Sequence, residues 1–190
     1  MPSTLRPQPL WLLDIDGVIA PDLGRGKKLD RAVWREWRHA TVADLTGQAY
    51  DIDWSPIVAD LITHAVAMGV EVIFLSSWLG SSKAVTEALG LQPLPWLDFD
   101  TDPDVMPWPK LQLARQVAVN RPLIWTDDHI FRERGAEDWA RQRQAPTSWH
   151  CPQSRIGLTQ RMVREIGEFI DRYTQDFTPA SVSIKKEPLA

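Results

Sequence analysis

The stretch Leu10-Trp11-Leu12-Leu13-Asp14-Ile15-Asp16-Gly17-Val18 opens with a continuous apolar run. Four consecutive apolar residues without polar alternation suit a strand buried on both faces, the habit of a central strand in a parallel sheet. The run stops at a carboxylate, and a second carboxylate follows two positions on, just before a glycine. Two carboxylates that leave the pleat at a strand end can share one pocket. There they can bind a hard cation through oxygen and divide the labour of nucleophile and proton donor. Taken alone, the motif is equally compatible with a plain strand-end turn, where Asp and Gly are common.

The same pattern recurs along the chain. Val70 to Leu75 is an apolar run ending at Ser76-Ser77, and Pro122 to Thr126 is another ending at Asp127-Asp128. Leu94 to Phe99 reads as a shorter strand interrupted by prolines, and Thr147 to Cys151 as a last one. Helical patterns lie between and after them. Residues 56–69 open on Pro56 and stop at Gly69, and a short helix capped by Ser81 or Ser82 runs to Leu89. Another runs from Pro109 to near Asn120, a charged one covers 133–144, and an amphipathic one follows Thr159. Strands alternating with helices predict an α/β fold, a three-layer Rossmann-like parallel sheet. Such sheets bind ligands at the carboxyl ends of their strands, so Asp14, Ser76 and Asp127 are expected to meet in one cleft.

Residues 18–55 break the alternation. Val33 to Val42 and Ala49 to Trp54, joined around Thr46-Gly47, predict a small β-hairpin inserted after the first strand, over the mouth of the cleft. If Val33 to Val42 is a strand, the spacing of Trp34 and Trp37 points their rings to opposite faces, one toward the cleft. Arg25, Lys27 and Lys28 precede them as candidate contacts to an anionic substrate. Residues 1–177 read as one domain with 18–55 as its cap-like insertion, and 178–190 as a loose polar tail.

Composition narrows the function classes. A net charge of −4, from 21 basic and 25 acidic residues, argues against a duplex-binding face. Ten tryptophans in 190 residues are read first as packing and second as base-stacking platforms. Cys151 is the single cysteine, the first residues carry no apolar signal core, and no apolar run has membrane-spanning length. The expectation is a cytoplasmic protein with no membrane partner. Asp98, Asp100, Asp102 and Asp104 alternate like a calcium loop, but Pro103 stands where that loop needs Gly and Pro109 where it needs Glu.

Four segments in order, Leu-Leu-Asp-Ile-Asp-Gly-Val-Ile, Val-Ile-Phe-Leu-Ser-Ser, the helix start at Lys110, and Leu-Ile-Trp-Thr-Asp-Asp, resemble the four motifs of the haloacid dehalogenase superfamily of phosphatases. The resemblance spans residues 11–128 and implies a Mg²⁺-dependent phosphomonoester hydrolase. It implies Asp14 as nucleophile and metal ligand. Asp16 would be the general acid–base and bind the ion through its backbone carbonyl. Ser76, with Ser77 as competitor, would hold phosphoryl oxygens, Lys110 would neutralise charge, and Asp127, alone or with Asp128, would complete the metal site. Family members that cleave carbon–halogen bonds lack an acid at the position of Asp16, so its presence favours phosphate chemistry. The implied partner is a phosphorylated substrate, a small molecule before a nucleic acid. Two other readings stay open: a non-catalytic binding or regulatory module on this fold, and a nucleic-acid end-processing phosphatase.

Overall fold

The computed structural model describes residues 7–24, 28–102 and 109–175. Arg25, Lys27, Asp104 and the tail 178–190 lie outside them. Four strands form a parallel sheet: β1 (Leu10–Leu13), β4 (Glu71–Phe74), β5 (Leu123–Thr126) and β6 (Thr147–His150), in the order β4-β1-β5-β6. The most apolar run is thus a central strand, and all four of its residues are fully buried. Its side chains alternate between the two faces, as a pleat requires. Trp11 and Leu13 join one core, with α1 (Pro56–Ala67), α2 (Ser82–Ala88) and α5 (Gln160–Thr174). Leu10 and Leu12 join the other, with α3 (Lys110–Ala118) and α4 (Ala136–Gln142). Helices therefore cover both faces.

Residues 94–99 do not form a full strand. A single parallel bridge joins Trp96 to Phe74, through Phe74 N–H to Pro95 O and Leu97 N–H to Phe74 O, both at 2.9 Å. Pro93 and Pro95 supply no N–H, so the ladder cannot continue. The charged helix is shorter than 133–144, because Gly135, in the left-handed region, precedes its first turn.

Between β1 and α1 lies an antiparallel hairpin, β2 (Arg38–Ala43) paired with β3 (Ala49–Trp54). Its turn is organised by Asp44, whose carboxylate accepts from the backbone N–H of Thr46 and Gln48 and from the Thr46 hydroxyl. Ser81 ties the tip down by accepting from Leu45 N–H at 3.0 Å. The first strand of the hairpin begins at Arg38, not Val33, which corrects the reading of the two tryptophans. Trp34 is 2% exposed and donates its indole N–H to Leu158 O at 2.9 Å. Trp37 packs on the same core. Neither ring lines the cleft. Among the described residues no helix is long and apolar enough to cross a membrane.

Candidate active site

Register brings the strand ends together. Leu13 pairs with Phe74 on one side and Thr126 on the other, so the chain leaves all three strands at one level. The ladder extends one residue further, through Asp14 N–H to Thr126 O at 3.0 Å and Leu75 N–H to Leu13 O at 2.9 Å. Asp14, Ser76 and Asp127 follow, each buried.

Lys110, the first residue of α3, reaches into this group. It is only 4% exposed, and its Nζ donates to Asp14 Oδ2 at 2.5 Å and to Asp127 Oδ2 at 2.8 Å. A buried ammonium persists only when paired in this way. The other oxygens of the two carboxylates are held by the chain itself, Asp14 Oδ1 by Ile15 N–H at 2.7 Å and Asp127 Oδ1 by His129 N–H at 2.8 Å. Asp128 turns toward the same place, its Oδ2 accepting from Ser154 and lying 3.5 Å from His129 Nε2. Its carboxylate occupies the space a side chain would fill at Gly17. There φ is +69°, and a Cβ would come within 2.5 Å of Asp128 Oδ2. Glycine is thus required twice over, for backbone sign and for room.

Ser76 is buried and Ser77 exposed. The Ser76 hydroxyl makes no hydrogen bond of good geometry, yet lies close enough to Asp14 to favour its ionised form. Asp16 is exposed to the cleft, and Trp78 donates its indole N–H to Asp16 Oδ2 at 2.9 Å.

The electrostatics follow from burial. Desolvation pushes the Asp14 carboxyl from an ordinary 3.8 to about 7, against the pull of the Lys110 ammonium and with the push of Asp127. Burial works against the charge on Lys110, but the two carboxylates outweigh it and hold the ammonium above its ordinary range. Asp16 is shifted upward, first by desolvation in the cleft, opposed by Trp78 and aided by Asp22 and Asp128.

Oxygens of Asp14, Asp127 and Asp128 lie within 4.8 Å of one another. Among the described residues, three carboxylates here stand against one ammonium, an excess of negative charge that a bound cation would offset. An all-oxygen donor set with that excess fits a hard divalent cation. The side chain of Asp16 is not among these three.

A cleft of about 700 Å³ opens beside Asp16. Its walls include Asp22, Asp44, Asp51 and Asp53, the exposed Ser77, and Tyr50 and Trp78, with no lysine or arginine among the described residues lining it. Lys28 is exposed and outside this lining. Three contributors went unnoticed in the sequence. Trp78 follows two residues after Ser76, a spacing that could have flagged it. Ser154 and Asp22 carry no local signal, and they meet through Asp22 N–H to Ser154 O at 2.8 Å. Comparison with protein-family models, curated proteins and solved structures finds no significant match in any of the three.

Proposed function

We propose that this chain is a Mg²⁺-dependent phosphomonoesterase of the haloacid dehalogenase type, acting through an aspartyl-phosphate on Asp14. One observation carries the reading. A buried carboxylate at the end of the central strand shares one lysine with the carboxylate at the end of the neighbouring strand, beside a buried serine hydroxyl. Such a constellation suits an attack on a group that brings negative charge with it.

In this reading an Asp14 oxygen forms a bond to phosphorus as the bond from phosphorus to the leaving oxygen breaks. Asp16, whose carboxyl is shifted upward by desolvation, gives its proton to that oxygen. In the second half Asp16 takes a proton from water. The water oxygen then bonds to phosphorus, and the acyl phosphate bond to Asp14 breaks. Ser76 donates its hydroxyl to a phosphoryl oxygen, and Lys110 offsets negative charge while keeping Asp14 and Asp127 in register. Asp14, Asp127 and Asp128, with the Asp16 backbone carbonyl, would hold Mg²⁺, which supplies positive charge to the phosphoryl oxygens as a Lewis acid.

The test is hydrolysis of 4-nitrophenyl phosphate with and without Mg²⁺, by the wild type and by Asp14→Asn. The expected result is turnover that needs the ion and falls at least ~10³-fold in the variant, with the fold intact. Full activity in excess chelator, or near-normal activity in Asp14→Asn, would refute the assignment.

A further inference from the structure

We infer that Trp78 is a positioning residue that orients the Asp16 carboxyl for proton transfer, and that Tyr50 couples this orientation to the hairpin. The inference rests on the reading of Asp14 as nucleophile and Asp16 as acid. An indole N–H only donates. Its bond at 2.9 Å therefore reserves Asp16 Oδ2 as an acceptor and leaves Oδ1 to carry the acidic proton. A carboxyl at a cleft surface is otherwise free to rotate between solvent contacts, and proton transfer falls off when donor and acceptor are misaligned.

Trp78 is itself fixed from two sides. It belongs to the turn directly after Ser76-Ser77, where Leu79 holds a φ of +47°, unusual for a residue with a side chain. On the other side the Tyr50 ring, on β3, meets the indole edge-on with centroids 5.2 Å apart. Both rings line the cleft. A tryptophan serving only as packing would not need its N–H on the one carboxylate that faces the cleft from the first strand's end. The chain Tyr50–Trp78–Asp16 thus joins the inserted hairpin to the acid.

The experiment compares the wild type with Trp78→Leu, which removes ring and donor, and Trp78→Gln, whose amide places a donor the same number of bonds from Cβ. For each, kcat/KM is measured on 4-nitrophenyl phosphate and on an alkyl phosphate. This quantity reports the steps up to formation of the phosphoenzyme, and only the alkyl ester has a leaving oxygen that needs the proton. Trp78→Leu is expected to lose ~10²-fold on the alkyl ester and less than ~3-fold on the aryl ester, with Trp78→Gln recovering most of the alkyl activity. In parallel, the indole ¹⁵N–¹H resonance that disappears in either Trp78 variant should shift in Asp16→Ala. That readout needs no turnover and survives if Trp78→Leu fails to fold. Equal slowing of both esters, absence of rescue by glutamine, or an unmoved indole resonance would overturn the proposal. If the wild type itself shows no Asp14-dependent turnover, the failure belongs to the underlying reading, and the proposal falls with it.

Discussion

Lys110 is nearly inaccessible to solvent and bonded to two carboxylates, so its removal does more than delete two hydrogen bonds. Lys110→Met keeps much of the stem but leaves Asp14 and Asp127 facing each other without a counter-charge. A loss of about 3–5 kcal/mol in denaturant unfolding is expected, partly restored by Mg²⁺. The titration of Asp14 also bears on stability. Below 3.8 Asp14 is protonated whether the chain is folded or not. From there to about 7 the unfolded chain releases the proton and the folded one keeps it. The folded state then binds more protons, so Asp14's contribution makes metal-free stability fall as pH rises through that window and level off above it. Melting in chelator from pH 4 to 8 should show this slope, and Asp14→Asn should flatten it; an identical slope in both would exclude Asp14 as its source. Asp14, Ser76, Lys110 and Asp127 were legible because each stands at the end of an apolar run or the start of a helix, and Asp16 because it pairs with Asp14 two positions on, before a glycine. Ser154 and Trp78 were not, because each acts on a carboxylate 26 or 62 positions away in the chain.

At the level of elements, the alternation of apolar runs and helical periods found all four sheet strands within a residue or two at each end. It could not find where β2 begins. Val33 to Trp37 carries strand-forming residues, but tertiary contacts win there. Trp34 is drawn into the core by its bond to Leu158 O, and Gln160 Nε2 donates to Val33 O at 2.8 Å. The prolines around Trp96 cut the predicted strand there to one bridge for the opposite reason, a local lack of donors. The consequence for the insertion is direct. Trp34→Ala should cost about 3–5 kcal/mol of stability as a core truncation and leave selectivity between phosphate esters unchanged. A selectivity change without a loss of stability would put Trp34 back at the cleft. Tyr50 is the hairpin residue whose removal should alter rates.

Over the whole molecule, the modest net charge of −4 is unevenly spread around the cleft, where Asp16, Asp22, Asp44, Asp51 and Asp53 face the space beside the site. The field there opposes extra negative charge on a leaving group. Among phosphate monoesters of similar size, kcat/KM should fall as anionic groups are added to the alcohol, and the penalty should shrink at high salt. End-phosphorylated oligonucleotides should rank below neutral alcohol esters, and the reverse order would restore the nucleic-acid reading. The charge total foreshadowed this in sign, but the convergence of four hairpin and loop aspartates on one cleft needed the three-dimensional path of the insertion. Covalent catalysis by Asp14 can be tested by acid-quenching the protein during turnover of a phosphate ester and locating the phosphoryl group by peptide mass spectrometry. One phosphoryl group is expected on the peptide carrying Leu13-Asp14-Ile15, labile to hydroxylamine and absent from Asp14→Asn. A phosphoryl group on another residue, or turnover with no covalent species in the wild type, would contradict it.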